Sequence, residues 1–178
     1  MNPEFWRAKR VLLTGHTGFK GAWAALWLER LGAIVTGFAR APETEPNLFA
    51  LAQGSLSLES RIDDLADASA VAAAVEKADP EIVLHLAAQA IVLRSYEFPV
   101  ETFAANVMGT AHLLDALRRC EHLQAVLVVT SDKAYANPES GAPLTEADPL
   151  GGDDPYSASK AAAEMAANAW ARSYFDAA

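Results

Sequence analysis

The chain has 178 residues, of which 52% are hydrophobic and 21% charged, a composition typical of one globular domain with a full core. Its formal net charge of −9 argues against nucleic acids and anionic membrane surfaces as partners. No apolar run reaches transmembrane length, and residues 1–10 lack the apolar core of a signal peptide. The single cysteine, Cys120, excludes an internal disulfide, so we expect a reducing, cytoplasmic location. Because Cys120 has no His or Cys partner at metal-ligand spacing, we place it in a helix and expect no metal site.

A glycine-rich segment follows the first predicted strand. The apolar run 11–13 leads to Gly15, Gly18 and Gly21, and an amphipathic stretch comes next. A buried strand, a tight turn and a helix N-terminus give this pattern, and the free N–H groups of such a helix favour a pyrophosphate. Gly15 can adopt φ angles that other residues avoid, Gly18 allows a ligand close to the backbone, and Gly21 allows the helix to pack closely. A plain structural turn is the alternative, but a position directly after a strand favours a nucleotide site.

The first helix is predicted over 19–31, with Gly32 as its C-cap. Its apolar residues recur every three or four positions: Trp23, Leu26, Trp27 and Leu31. This periodicity predicts that both tryptophans are core residues.

The second strand is predicted over 34–38, and Arg40 follows it. A dinucleotide-binding fold usually has an acidic residue at this place, which bonds the ribose 2′-hydroxyl. Arg40 in its stead would favour NADP, or it is a solvated loop residue. The sequence leaves both interpretations open.

Strands and helices continue to alternate along the chain. Further strands are predicted over 56–62, 82–86 and 125–130, helices over 66–78 and 99–120, and one helical turn near 47–52. This order predicts an α/β fold with a doubly wound, Rossmann-like parallel sheet of about five strands. Ligands of such sheets lie beyond the carboxyl ends of the strands.

Two of these strand ends carry candidate cofactor contacts. Asp64 either accepts a hydrogen bond from an adenine amino group, or one of Asp63, Asp64 and Asp67 caps the next helix. After the strand 82–86, the small residues of 87–89 would allow a cofactor close to the backbone. His85 on this strand is interpreted as a core histidine with satisfied hydrogen bonds.

Asn106 interrupts the apolar side of the helix predicted over 99–120. If it is buried, its amide requires a hydrogen-bonding partner.

The chemistry is expected beyond the fifth strand. Ser131, Asp132 and Lys133 place a hydroxyl, a carboxylate and an amine side by side, either as an acid/base cluster or as an ordinary polar turn. After a Pro/Gly-rich loop, Asp154 and Pro155 begin a helix, which places Tyr156 and Lys160 on one face of it. A lysine cation near a phenol lowers the pKa of the phenol, so the pair could remove a hydroxyl proton as hydride leaves the same carbon.

At this point the chain resembles the extended short-chain dehydrogenase/reductases, and within them the CDP-glucose 4,6-dehydratases. The resemblance covers nearly the whole chain and rests on the segments 14–21, 85–89, 95–97, 106–110, 130–133 and 151–160. The most discriminating of these is Ser131-Asp132-Lys133, since related dTDP-glucose dehydratases have an Asp-Glu pair there and 4-epimerases lack the acid/base pair. The position of Arg94 departs from the family pattern, so no substrate contact is assigned to it.

The resemblance implies an internal redox cycle on a tightly held NAD with CDP-glucose as the substrate. Tyr156, Lys160 and Ser131 would act at the glucose 4-hydroxyl, Asp132 would protonate the departing 6-hydroxyl, and Lys133 would remove the C5 proton. The expected cofactor-binding residues are Gly15, His16, Thr17, Gly18, Phe19, Arg40, Asp64, Leu65, Leu86, Ala87, Ala88, Gln89, Tyr156 and Lys160. The resemblance further implies a homo-oligomer, a dimer or higher, that pairs through the helices near 99–120 and 155–174.

The family is about twice as long as this chain. Residues 1–178 are therefore expected to form an incomplete NAD-binding domain with the catalytic helix at its C-terminal end, without the substrate-binding portion. We expect such a chain to have little turnover alone. The alternatives are another sugar-nucleotide epimerase or reductase of the extended family, and a short NAD-binding module without catalysis.

Overall fold

The computed structural model describes residues 2–175 and contains one parallel sheet. Its strands are β1 (Arg10–Thr14), β2 (Ile34–Ala39), β3 (Glu59–Ile62), β4 (Ile82–His85) and β5 (Ala125–Val128). They lie in the order β3-β2-β1-β4-β5, with Leu12 opposite Thr36 on one side and Val83 on the other. The prediction of a doubly wound, Rossmann-like sheet of five strands is thereby confirmed.

Helices connect the strands. They are α1 (Pro3–Trp6), α2 (Phe19–Arg30), α3 (Leu48–Ala52), α4 (Ala68–Ala78), α5 (Val92–Glu97), α6 (Pro99–Phe103), α7 (Gly109–Leu117) and α8 (Pro155–Trp170). A π-helical segment, Ala104–Met108, joins α6 to α7, and a second one, Ala171–Phe175, follows α8. Short 3-10 turns occupy Gln53–Ser55 and Asp132–Ala134. No helix within residues 2–175 is long and apolar enough to cross a membrane.

Alternate residues of the central strands bury their side chains on opposite faces of the sheet. On one face, Val11 and Leu13 pack with Leu28 of α2. On the other face, Leu12 and Val83 pack with residues of α4 and α7. This alternation arises because successive side chains of a strand point in opposite directions, and it gives the sheet a core on each side.

The prediction that Trp23 and Trp27 are core residues is wrong, since each is 55% exposed. A side chain at Gly21 would overlap the Gly15 carbonyl, so close packing at this point fixes the rotation of α2. Gly21, Ala25 and Leu28 therefore face the sheet, and the tryptophans lie on the outer side of the helix.

The helix predicted over 99–120 consists of α6, the π-helical segment and α7, and it ends at Leu117. The N–H groups of Arg118 and Cys120 bond to carbonyls three residues back, which closes the last turn of the helix. Cys120 therefore lies beyond the helix, contrary to the prediction. It is half-buried, and burial raises the pKa of its thiol.

Other element boundaries also differ from the predictions. Strand β3 begins at Glu59 rather than at residue 56, because Ser57 is bonded through its N–H and hydroxyl to the Glu29 carboxylate. The helix predicted from residue 66 begins at Ala68, because Asp67 is its N-cap. The sequence predictions did not include α1 and α5.

Candidate active site at the carboxyl ends of the strands

A cleft of about 690 Å³ lies at the carboxyl ends of the strands. Ligands of open parallel sheets bind at this edge. Of the predicted cofactor residues, the following line the cleft: Gly15, Thr17, Gly18, Phe19, Arg40, Asp64, Leu65, Leu86, Ala87, Ala88, Gln89, Tyr156 and Lys160. The fold therefore brings residues from distant parts of the sequence together around one cavity.

The glycine turn forms one wall of the cleft. Gly15 has a φ of 78°, and a Cβ atom there would lie 2.7 Å from the Ala87 backbone nitrogen. The Gly18 N–H donates to the Gly15 carbonyl at 3.0 Å, and Gly18 is the N-cap residue of α2. A tight turn that delivers a helix N-terminus to the cleft suits a bound pyrophosphate, so this wall fits a dinucleotide.

The His16 side chain lies outside the cleft. Its ring is fully buried, its Nε2 lies 2.7 Å from the Ser60 Oγ, and it occupies the space that a side chain at Gly37 would need. Burial lowers the pKa of His16 to about 4, more than the nearby Phe38 backbone raises it, so the imidazole is neutral at pH 7. The cofactor contact proposed for His16 can therefore involve its backbone but not its ring.

The helix-cap role among the three aspartates belongs to Asp67. Its carboxylate accepts hydrogen bonds from the N–H groups of Ser69 and Ala70 at the start of α4. Asp64 instead lies in the cleft, where its side chain is 47% exposed and accepts a bond from the Ala66 N–H. Asp64 is thereby available to a ligand.

A buried chain of hydrogen bonds connects β1 and β4 to the π-helical segment. The Ala87 N–H donates to Thr14 Oγ1, and this hydroxyl lies 2.7 Å from His85 Nδ1. His85 Nε2 lies 3.0 Å from Thr110 Oγ1, which donates to the Asn106 carbonyl. All donors are satisfied when Thr14 donates to Nδ1 and Nε2–H donates to Thr110. His85 is therefore a core histidine with satisfied hydrogen bonds, as predicted. It is neutral, because burial and the nearby Lys160 charge lower its pKa to about 3.

Asn106 is 2% exposed and has the partners that its burial requires. Its Oδ1 accepts from the Gln89 N–H at 2.8 Å, and its Nδ2 donates to the Gln89 carbonyl at 3.1 Å and to Ser159 Oγ at 2.8 Å. The π-helical turn around Asn106 is a type of distortion that is frequent at functional sites. Asn106 thus joins the cleft-lining Gln89 to helix α8.

Helix α8 carries Tyr156 and Lys160 into the cleft. Asp154 caps it by accepting bonds from the N–H and hydroxyl of Ser157, and Pro155 is its first residue, as predicted. Tyr156 is 8% exposed, and its backbone N–H donates to Ser95 Oγ at 3.1 Å.

Lys160 is 6% exposed and donates from Nζ to the Val129 carbonyl at 3.2 Å. Within residues 2–175 no carboxylate lies within ion-pairing distance of this ammonium. Burial, and secondarily the Lys20 charge, lower the pKa of Lys160 to about 8. The Lys160 ammonium therefore loses its proton at a lower pH than the ammonium of an ordinary lysine.

Ser131, Asp132 and Lys133 lie beyond β5, directly after the cleft-lining Thr130, but they do not themselves line the cleft. Ser131 Oγ donates to Asp132 Oδ1 and accepts from the Lys133 N–H, each at 3.2 Å. The Lys133 charge is close enough to Asp154 to contribute to its pKa. Desolvation alone would raise the pKa of Asp154, but hydrogen bonds from Ser157, with this charge, hold it below its usual value.

Four charged residues that the predictions did not assign to the site also line the cleft: Lys20, Glu43, Asp63 and Arg94. The position of Lys20 next to the glycine turn was a usable signal. Glu43 lies in a loop, and Arg94 lies in the helix α5 that the periodicity missed, so the sequence offered no comparable signal for them.

A five-stranded parallel sheet with a glycine turn and a cleft at its strand ends defines a Rossmann-like α/β protein. A family model described as GDP-mannose 4,6 dehydratase matches residues 12–176. The chain belongs to this family.

Individual relatives agree. The chain is 46% identical over 176 residues to the CDP-glucose 4,6-dehydratase of Salmonella typhimurium, covering 99% of this chain and 49% of that protein. It is 32% identical over 177 residues to the dTDP-glucose 4,6-dehydratase of Mycolicibacterium smegmatis, covering 93% and 50%. The structure of UDP-glucose 4-epimerase from Brucella ovis in complex with NAD matches with a TM-score of 0.80 at 29% identity, over 94% of this chain and 49% of that one. The chain thus spans about half the length of the relatives it matches and corresponds to an N-terminal half.

Proposed function

We propose that this chain is the NAD-binding and catalytic portion of a sugar-nucleotide 4,6-dehydratase that converts CDP-glucose to CDP-4-keto-6-deoxyglucose. The observation that carries the proposal is that Tyr156 and Lys160 lie in the same cleft as the glycine turn. The base for a sugar hydroxyl and the glycine turn that would bind a dinucleotide then line the same cavity. The similarity to the Salmonella CDP-glucose 4,6-dehydratase supports the choice of substrate.

The cleft fits NAD. The turn at Gly15 leaves no space for a side chain, the N-terminus of α2 is directed to the cleft, and Asp64 offers a carboxylate for an adenine amino group. The chemistry that NAD supplies when bound is to accept a hydride from the sugar C4 and to return one to C6.

Side chains of the protein then transfer the protons. Tyr156 takes the proton of the 4-hydroxyl as the C4–H bond breaks, with Ser131 assisting. The hydrogen bond from Lys160 to the Val129 carbonyl holds the ammonium in the cleft that Tyr156 also lines.

The resulting ketone at C4 acidifies the C5 proton, so water can leave across C5 and C6. We assign removal of the C5 proton to Lys133 and protonation of the departing 6-hydroxyl to Asp132. The two are adjacent in the 3-10 turn beyond β5, where Ser131 Oγ donates to the Asp132 carboxylate and accepts from the Lys133 backbone N–H. A proton returns to C5 as hydride returns to C6, so the sequence of steps consumes no net cofactor.

A 4-epimerase is the second candidate, favoured by the match to the Brucella ovis enzyme. Both reactions begin with oxidation at C4, and only the dehydratase needs an acid/base pair for the loss of water. Asp132 and Lys133 therefore favour the dehydratase.

Product analysis separates the candidates. The protein as it occurs in its own cells, wild type or variant, is incubated with NAD and CDP-glucose, and the nucleotide sugar is analysed by mass spectrometry. We expect a product that has lost the mass of one water, its absence in the Y156F variant and its near absence in D132N. E139Q, in the exposed loop before α8, is the matched control and should retain activity. A product of unchanged mass with inverted C4 would show an epimerase.

The isolated chain should bind NAD but turn over little CDP-glucose, because it spans only half of its relatives. Rapid conversion by the 178-residue chain alone would contradict this part of the proposal. NAD binding without any activity of the whole protein would instead support a non-catalytic binding module.

We also propose a cytoplasmic homo-oligomer, a dimer or higher, that pairs through the outer faces of α6–α8. Val100 is 81% exposed and Met165 is 61% exposed on these helices, which leaves apolar surface for a second copy. Sedimentation equilibrium should give at least twice the monomer mass. A monomer at micromolar concentration would contradict the pairing.

A further inference from the structure

The end of β2 lacks the acidic side chain that usually distinguishes NAD from NADP, and it offers Arg40 in its place. An arginine with a free guanidinium would be suited to the 2′-phosphate of NADP. The question is therefore whether the guanidinium of Arg40 is free.

The Arg40 guanidinium is held between two carboxylates. Its Nη2 lies 3.3 Å from Glu43 Oε1, and its Nε lies 3.9 Å from Asp64 Oδ2. All three residues line the cleft. Two negative charges thus offset the one positive charge at this wall.

Glu43 is itself fixed from the other side. Its Oε2 accepts a hydrogen bond of 2.8 Å from Arg94 Nη1, and the Arg94 guanidinium also lies near Glu101 at 3.8 Å and over the ring of Phe98. Arg94 is the least exposed member of this group, at 32%. The Glu43 carboxylate is therefore held between Arg40 and Arg94 instead of moving freely with its loop.

A ligand at this wall meets an alternating row of charges, Asp64, Arg40, Glu43 and Arg94, with Asp63 beside it, which gives a net charge of −1. A ribose 2′-hydroxyl can donate a hydrogen bond to a carboxylate of this row. A 2′-phosphate has to displace one of these carboxylates from Arg40 and then lies beside it, which is unfavourable because like charges repel.

From this arrangement we propose that Glu43 is the residue that selects NAD over NADP, replacing the acid missing from the end of β2, with Arg40 and Arg94 as its positioning residues. The inference rests on the proposed function, since it assumes that the cleft binds a dinucleotide. Arg40 then pairs with Glu43 within the protein and does not bind a 2′-phosphate of the cofactor.

The test is a fluorescence titration of the purified chain with NADH and with NADPH, comparing the two dissociation constants. The wild-type chain should bind NADH more tightly. In E43Q the ratio of the NADPH constant to the NADH constant should fall by about tenfold or more, since removing the charge relieves the repulsion and releases Arg40. Thermal unfolding of each variant verifies that it is folded.

Two further variants complete the test. E101Q also removes a partner of Arg94, but Glu101 does not line the cleft, so the ratio should remain as in the wild type. R40A should not weaken the binding of NADPH relative to that of NADH. If Arg40 bound the phosphate, R40A would selectively lose affinity for NADPH.

An unchanged ratio in folded E43Q, or a selective loss of NADPH affinity in R40A, would overturn the inference while leaving the proposed function intact. Binding of neither dinucleotide by the folded wild-type chain would overturn both.

Discussion

The side-chain amide of Asn106 donates a hydrogen bond of 2.8 Å to the hydroxyl of Ser159. This contact joins the π-helical segment to the helix that carries Tyr156 and Lys160. The same Asn106 side chain also bonds both backbone groups of Gln89. One buried amide therefore connects helix α8 to the cleft wall that carries Gln89.

Replacing Asn106 by alanine should weaken both the fold and the cleft. The Gln89 N–H would lose its acceptor, and each buried polar group left unpaired costs about 1–3 kcal/mol. We expect the free energy of unfolding in urea to fall by that amount or more and NAD affinity to decrease. N168A, at an exposed position of α8, is the control and should change neither. Unchanged stability of N106A would show that the hydrogen bonds to Gln89 are dispensable.

Replacing Gly21 by alanine should distort the glycine turn, because the added methyl group would overlap the Gly15 carbonyl. Overpacking of this kind costs about 1–3 kcal/mol, and the displaced turn should bind NAD more weakly. G54A is the matched control, since a Cβ atom there meets no neighbouring atom. Equal NAD affinity in G21A and G54A would contradict the close packing described here.

The buried Lys160 should lower the free energy of unfolding, because a buried ammonium loses its hydration. Its pKa of about 8, against 10.5 for an ordinary lysine, corresponds to roughly 3 kcal/mol at pH 7. We therefore expect K160M to unfold at higher urea concentration than the wild type at pH 7.

The advantage of K160M should shrink as the pH rises from about 8 to 10.5. In this window the unfolded wild-type chain holds the Lys160 proton and the folded chain does not, so wild-type stability rises with pH. K77M removes an exposed lysine and should stay within about 0.5 kcal/mol of the wild type throughout. A K160M variant less stable than the wild type at pH 7 would contradict the cost assigned to the buried charge.

Acid should destabilise the protein through His16 and His85. Their pKa values in the folded chain are about 4 and about 3, against 6.5 for an unperturbed histidine. Below pH 6.5 the unfolded chain takes up protons that the folded chain excludes, so stability falls with pH by up to about 1.4 kcal/mol per unit for each histidine.

Urea unfolding at pH 7.5 and at pH 5 measures this loss. H85Q should lose roughly 2 kcal/mol less than the wild type over this interval. An imidazole NMR titration of the folded chain gives a second measurement. A native pKa near 6.5 for His85 would contradict the neutral hydrogen-bonded chain.

The sequence was sufficient for features that depend on periodicity and on local chemistry. Apolar runs such as Val83 and its neighbours predicted the strands, and Asp154-Pro155 predicted the start of α8. The sequence could not predict which side of α2 packs on the sheet, because this depends on the contact of Gly21 with a carbonyl six residues away. For this reason the exposure of Trp23 and Trp27 was not predicted.

The same distinction between local sequence pattern and tertiary contact applies to the site. Glycine spacing and strand ends predicted the residues that line the cleft, but the direction of a side chain at a turn depends on its tertiary neighbours. The His16 ring is turned away from the cleft because Gly37 leaves a space on the other side. Likewise, Arg40 could not be interpreted without Glu43 and Arg94, which meet only in the folded chain.

The most direct measurement of the proposed function follows the hydrogen at C4. The native protein, purified from its own cells with an antibody raised against this chain, is given NAD and CDP-glucose that carries deuterium at C4. We expect CDP-4-keto-6-deoxyglucose with the deuterium at C6, because the hydride is taken from C4 and returned within the same site. Recovery of the deuterium at an inverted C4, or no conversion of CDP-glucose at all, would contradict the assignment of this chain to a CDP-glucose 4,6-dehydratase.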